Sequence, residues 1–314
     1  MGKLTEIFKK QGGSRLIKQY WKGGELPTAV AEFLILGRSK TALEILRLSA
    51  NFKLKKKLRK KYKQKISDFV NNYKFKKSEN KSKKVWVCWF QGIEQAPPLV
   101  QKCYQSLKEH LTDREIVLIT ENNYQEYVQF PEHIQKKIDS GIISKTHMSD
   151  LLRLELLLRY GGTWIDSTVY CTGGKIPSYM LDSDLFVFQK LKPGSNGNSI
   201  SISSWFISSC ADHPILALTK EMLYEYWSIN NDMIDYFIFH YFFQLAIEQY
   251  PEEWKNVMPF CNSIPHILLL RLFEEYDENI WNAVKEMTPF HKLSYKFSDE
   301  QANVQGTYYK KIFK

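Results

Sequence analysis

Residues 149–168, SDLLRLELLLRYGGTWIDST, decide how the rest of the chain is read. Ser149 offers an N-cap oxygen to a dense leucine run, and Gly161 and Gly162 close it, so the spacing predicts a buried helix ended by glycines. TWIDSTVYCT (163–172) then has the apolar, β-branched character of a strand. Upstream, VWVCWF (85–90) reads as a buried strand, PPLVQKCYQSLKEHL (97–111) as an amphipathic helix with prolines at its start, and EIVLIT (115–120) as a second strand. Downstream, DLFVFQ (184–189) and SISSWFIS (201–208) are strand-like, and helices are expected through 213–250 and 264–285. Such alternation predicts an α/β domain with a largely parallel sheet, whose ligands bind at the C-terminal ends of the strands. No internal repeat accompanies it.

The main domain is expected over 83–314, and residues 1–82 form a helical, basic region before it. LPTAVAEFLILG and SKTALEILRLSANF carry helical apolar spacing, with Ser39 as an N-cap, and the polar stretch NNYKFKKSENKSKK (71–84) reads as a linker or exposed loop. The chain has 314 residues and a net charge of +10, but the segment from Asn51 to Lys84 alone holds fifteen Lys/Arg against Asp68 and Glu79. Everything else is therefore slightly acidic. Within the basic segment, Leu54, Leu58, Tyr62, Ile66 and Phe69 recur every three or four residues, an apolar stripe flanked by lysines. Residues 51–70 can accordingly lie on an anionic membrane surface, or pack on their own domain. No nucleic-acid partner is expected, since no recognition helix, aromatic RNA-binding strand or zinc finger accompanies the charge.

Other classes are excluded by what is missing. Apolar runs at 29–36 and 264–273 are too short for a membrane span, and the N-terminus lacks the apolar core of a secretory signal. A cytoplasmic protein, peripheral at most on the inner face of the plasma membrane, is the expectation. Five scattered cysteines suit neither a disulfide framework nor a zinc ribbon and should be reduced thiols. No phosphate-cradling G-x-x-x-x-G-K-[ST] loop is present.

The chemistry concentrates in the opening stretch. Asp150 and Arg153 stand three apart on an otherwise leucine-rich helix, and Asp166 ends a strand beside Ser167 and Thr168. Asp150 and Arg153 alone can be a helical ion pair near a helix start. A strand-end carboxylate with adjacent hydroxyls, however, can hold a hard divalent cation and the diphosphate that it neutralises.

The order S-D-x-x-R (149–153), then R-Y-G-G-T-W-I-D-S-T (159–168), resembles the capsular polysaccharide synthesis proteins. These belong to a wider group of glycosyltransferases with a DxD sugar-binding region, related to yeast initiating mannosyltransferases and the glucosyltransferase domains of the large clostridial toxins. VWVCWFQGIEQAPPLVQKCYQSL (85–107), ITENNYQEYVQFPEHI (119–134) and HKLSYK (291–296) extend the likeness over about 85–296. The resemblance implies a GT-A-like, Rossmann-type nucleotide-sugar-binding domain. Asp150 and Arg153 would then grip the donor sugar beside Ser149, and Asp166 would face Mn²⁺ or Mg²⁺ together with the diphosphate. Thr168 replaces the second acid of DxD, which bears on how many protein ligands a metal has.

Further donor contacts are expected from Trp86 or Trp89 stacking on the base, from Gln91 and Gly92 in the turn, from Gly161, Gly162, Ser167 and Thr168, and from Lys292 and Lys296. Core packing is the alternative for each tryptophan. His291 would be a metal ligand. Asp232, Asp235 and His240 are expected on one aromatic-rich helix as acceptor-site or packing residues, and the loop 191–199 can close over the donor. The implied reaction is a metal-dependent, retaining transfer of a sugar from a nucleotide-sugar donor, UDP-linked first, to a capsular glycan or lipid-linked oligosaccharide acceptor. The alternative is an inactive glycosyltransferase-like domain or a polybasic scaffold of polysaccharide synthesis.

Overall fold

Strand β1 (Lys84–Cys88) is where the sheet is organised, because it is paired in parallel on both sides. On one side lies β2 (Glu115–Ile119), reached through helix α3 (Pro98–His110), whose start is set by Pro97 and Pro98. On the other lies β3 (Gly162–Ile165). In the computed structural model, which describes residues 20, 21, 23–37, 39–75, 81–191 and 199–314, the five-stranded order is β2-β1-β3-β6-β5. Here β5 is Leu185–Gln189 and β6 is Ile202–Ser209. Strand β6 runs antiparallel to both β3 and β5, so four strands share one direction and β6 alone is reversed. The expected α/β domain with a largely parallel sheet is thus present, with one antiparallel insertion.

The stretch expected as one strand at 163–172 is two. After β3 the chain turns at Asp166–Thr168, with the Val169 amide donating to the Asp166 carbonyl at 3.0 Å, and re-enters as β4 (Val169–Cys171). Strand β4 pairs antiparallel with β7 (Phe290–Lys292), a strand of three residues that alternation alone does not reveal. This small ribbon brings the C-terminal part of the chain to the end of β3.

Helix α5 (Lys145–Tyr160) starts one turn earlier than expected: Ser144, not Ser149, is the N-cap, accepting from the His147 amide. Its first turn, Lys145-Thr146-His147-Met148, has no leucine to extend the visible stripe. Helix α4 (Glu132–Asp139) lies just before it. The long helical expectation at 213–250 divides into α6 (Pro214–Ile229) and α7 (Ile238–Gln249), separated by a polar break.

Upstream, α1 (Leu26–Leu36) precedes α2 (Lys40–Asn72), capped by Ser39 as its side chain suggests, with the Ala42 amide donating at 3.0 Å. Helix α2 is the basic helix, and its apolar stripe does not face a membrane. Leu54, Leu58, Tyr62 and Ile66 are buried in the same core as Trp227 of α6 and Phe242 of α7. Tyr62 meets Phe242 edge-on at 5.0 Å, and Lys55 and Arg59 pair with Glu248 while Lys65 pairs with Glu221. The physical reason is size: burying four large apolar side chains against α6 and α7 is worth roughly 1.5–3 kcal/mol each, and acids on those helices meet the lysines. Residues 1–19 and 192–198, which include most of the expected closing loop, lie outside the described residues. All five cysteines are free.

Candidate active site

The C-terminal ends of β1 and β3 open into a cleft of about 570 Å³, floored by Asp150, Arg153 and Asp166. Helix α5 contributes the first two. Arg153 is only 4% exposed, and its guanidinium is shared: Nη1 donates to Asp150 Oδ1 at 2.7 Å and Nη2 to Asp166 Oδ1 at 3.3 Å. Trp164 stacks beneath it, the guanidinium carbon 4.8 Å from the ring centre, and Phe239 lies 5.5 Å away on another side. The same Trp164 donates its indole N–H to Asp166 Oδ1 at 3.0 Å. One buried cation thus aligns a helical and a strand-end carboxylate, the geometry that a bidentate fork permits.

Burial by itself would raise the Asp150 carboxyl, but the Arg153 charge and a His147 hydrogen bond at 3.2 Å outweigh it and hold the group below the ordinary carboxylate range. Asp150 is an anion at neutral pH. Asp166 Oδ2 accepts from Lys292 Nζ at 3.0 Å, and the same ammonium donates to Thr168 Oγ1. Around this floor stand Trp89, Gln91, Ser149, Ser167 and Lys296. Ser149 also donates its hydroxyl to the Thr146 carbonyl at 2.6 Å.

Several expected donor contacts are placed elsewhere. Trp86 is fully buried, with its indole N–H on the Gly161 carbonyl at 2.9 Å and its ring against Tyr127 and Tyr160. It is core because of its place along β1: it shares a face with Cys88, which reaches the cleft, but lies one step further down the strand, beside Gly161 at the N-terminal end of β3, whereas Trp89 lies past the strand end and packs on Tyr295. Gly161 and Gly162 are at the opposite, N-terminal end of β3, where a β-carbon on Gly162 would stand 2.3 Å from the Lys84 carbonyl oxygen; they serve the sheet and are not in the cleft lining. Gly92 makes a left-handed turn at φ 86° after the strand and is not part of the cleft lining.

His291 does not reach the cleft as a metal ligand would. It is wholly buried, 3.3 Å from Thr172 Oγ1 and against Trp281, and burial lowers its pKa to about 4. Alternation along β7 sends Lys292 into the cleft and His291 away from it. Of the aromatic-rich stretch, Asp235 caps the Phe237 amide at 2.7 Å and Tyr226 donates its hydroxyl to the Asp232 carbonyl, whereas His240 lines the cleft. Burial lowers the pKa of His240 to about 4, and its Nδ1 has no hydrogen-bond partner.

The cleft also holds residues that the sequence did not single out: Phe90, Lys145, Tyr236 and Tyr295. Tyr295 lies inside HKLSYK between the two lysines, and Tyr236 is one turn before His240, so both were marked by their neighbours. Lys145 was hidden in the first turn of α5. It pairs with Glu121, at the end of β2, and lies 5.2 Å from the Phe90 ring centre.

The side chains present do not assemble the expected divalent-cation site. Asp166 is the sole carboxylate at the turn; both its oxygens are engaged by cationic donors, Thr168 accepts from Lys292, and His291 faces elsewhere. Among the described residues no group of three His, Cys, Asp or Glu side chains is placed to hold a metal ion.

Fold and site together define an α/β protein with a polar, charge-paired ligand cleft at the C-terminal strand ends, as open α/β sheets place their ligands. Residues 39–312 match the capsular polysaccharide synthesis protein family, and the chain belongs to it. It is 35% identical over 96 residues to the O-glycosyltransferase braB of Annulohypoxylon truncatum, a match spanning 27% of this chain but 22% of that protein. Among solved structures, the PaToxG glycosyltransferase is similar at a TM-score of 0.36 and 14% identity, over 82% of this chain and 95% of that one.

Proposed function

We propose that this protein is a retaining, GT-A-like hexosyltransferase that moves a sugar from a nucleoside diphosphate donor, UDP-linked first, to a capsular glycan or its lipid-linked precursor. The supporting observation is the shared guanidinium: Arg153 fixes Asp150 and Asp166 at the floor of a cleft whose rim is basic. A cleft of about 570 Å³ lies in the range of small-ligand sites. The carboxylates accept hydrogen bonds from sugar hydroxyls, while Trp89 offers a face to the base and Lys292 and Lys296 meet the diphosphate. In the transfer the bond from the sugar C1 to the β-phosphate oxygen breaks, its electron pair leaving with the nucleoside diphosphate. A bond from C1 to the acceptor oxygen forms on the same face, and the acceptor's hydroxyl proton passes to the departing phosphate oxygen. Positioning and cationic stabilisation of that oxygen supply the rate.

Thermal unfolding of the purified protein with UDP-, GDP- and CDP-sugars tests this reading. One donor should raise the melting temperature and be turned over to free nucleoside diphosphate when acceptor is supplied. Asp166→Asn should stay folded and lose transfer by about 100-fold or more, the scale of removing a group aimed at the reacting centre. A fully active Asp166→Asn protein would remove Asp166 from the site.

The acceptor side of the proposal includes an anionic membrane. No described helix is long and apolar enough to cross one. The surface that fits is not the stripe of 51–70 but the face beside it. On α1, Val30, Leu34 and Ile35 are 50%, 77% and 80% exposed, and on α2 the exposed residues Ile45, Leu48 and Phe52 continue along one face into Lys56, Lys60 and Lys63. Apolar side chains followed by lysines on one face match an interface of acyl chains and anionic headgroups. Leu34→Glu with Ile35→Glu should abolish co-sedimentation with phosphatidylglycerol-containing vesicles and leave soluble donor binding unchanged; undiminished sedimentation would sink this surface.

A further inference from the structure

The two positions of the DxD pattern are Asp166 and Thr168, and a single ammonium bridges them. Lys292 Nζ donates to Asp166 Oδ2 at 3.0 Å and to Thr168 Oγ1. Its place is fixed by backbone pairing: β7 sets Lys292 opposite Val169, and the Leu293 amide donates to the Thr168 carbonyl at 2.9 Å. The side chain is 18% exposed and lines the cleft. An ammonium has three hydrogens, so two bonds to protein leave one for an incoming anion. The remaining Asp166 oxygen receives Arg153 Nη2 and the Trp164 indole N–H.

A divalent cation placed on Asp166 would have to displace Lys292 and would still sit beside the fixed Arg153 guanidinium. Thr168, as a neutral hydroxyl, adds no charge to hold it. The threonine and the lysine are mutually explanatory. A second aspartate there would call for a divalent ion, whereas a hydroxyl accepts one ammonium hydrogen and leaves the net charge of the turn balanced by Lys292.

We propose that Lys292 takes the place of the metal: it binds the donor's diphosphate and neutralises the charge that develops on it, so that donor binding needs no divalent cation. Lys296, four residues on and also in the cleft lining, faces the same anion. This rests on the nucleoside-diphosphate reading above.

Calorimetric titration of the full chain, stripped with EDTA, tests it with UDP, GDP and CDP as probes, in EDTA and separately in Mn²⁺. UDP, or whichever of the three binds, should do so within about twofold equally in both buffers. Lys292→Met should weaken the diphosphate roughly tenfold or more, as expected for loss of a charge-assisted contact, and weaken the corresponding monophosphate much less. Lys292→Arg, which keeps the charge, should retain most of the affinity, and its unfolding curve reports whether the ribbon is intact. Binding that requires Mn²⁺, or a Lys292→Met protein that binds the diphosphate as tightly as the parent, overturns the lysine assignment alone. Failure of all three nucleotides to bind the folded protein in either buffer overturns the donor reading beneath it.

Discussion

Arg153→Met should lose measurable donor binding and lower the melting temperature, the largest functional effect expected of any single substitution in the cleft. Arg153 is 4% exposed and is paired with Asp150 and Asp166 at once. Methionine fills much of the same volume between Trp164 and Phe239 but leaves Asp150 with only His147 and Asp166 with Lys292 and the indole. Breaking a buried ion pair by removing one partner costs about 3–5 kcal/mol, a large share of an ordinary protein's total stability. Two carboxylates without their shared cation also repel each other and the donor's phosphates. Arg153→Lys should recover little, because one ammonium cannot reproduce a fork that reaches two carboxylates while stacking on an indole. Arg59→Met is the control: its Glu248 pair is half-exposed and worth at most about 1 kcal/mol. Thermal unfolding and nucleotide titration of the three variants decide the matter. An Arg153→Met protein that binds donor within a few-fold of the parent would refute the central role of this guanidinium.

What could be read from residues 85–168 was what depends on local pattern. β1, α3 and β2 lie within a residue or two of the expected bounds, since short apolar runs flanked by prolines and turns constrain them tightly. The pairing of Asp150 with Arg153 followed from helical spacing, and Asp166 does stand at a strand end. The partners that complete the site were not legible in that way. Lys292 reaches Asp166 from 126 positions away in sequence, through a ribbon whose two strands have three residues each. No periodicity survives over three residues, and the side of β7 on which His291 or Lys292 falls depends on its register against β4. That is why His291, expected at the site beside Lys292, is buried outside the cleft lining while Lys292 lines it. The stripe on α2 failed for a different reason: a lysine-rich amphipathic helix has the same pattern whether its apolar face meets a bilayer or Phe242 and Trp227, and only the complementary surface on α6 and α7 distinguishes them.

Gly162→Ala should be the most damaging small substitution outside the cleft. At φ 95° the residue occupies backbone space that side-chain-bearing residues avoid, and a β-carbon there would stand 2.3 Å from the Lys84 carbonyl oxygen. That oxygen belongs to the first residue of β1, so relief requires β1 and β3 to move apart at the pairing of Val85 with Thr163. The left-handed conformation costs about 1–2 kcal/mol and the overlap about 1–3 more, which together should lower the melting temperature of a chain of 314 residues by about 3–8 °C. Gly174→Ala separates the two contributions. Its φ is 74°, but nothing lies within 4 Å of an added β-carbon, so it should lose only the conformational part. Because Asp166 hangs from the far end of β3, a displaced strand also moves that carboxylate relative to Arg153 and Lys292, and donor affinity should fall with stability in Gly162→Ala while Gly174→Ala keeps it. Melting curves for the two variants that coincide would mean that the close approach of β1 to Gly162 contributes nothing beyond backbone strain, and that the Gly-Gly pair acts as a helix terminus alone.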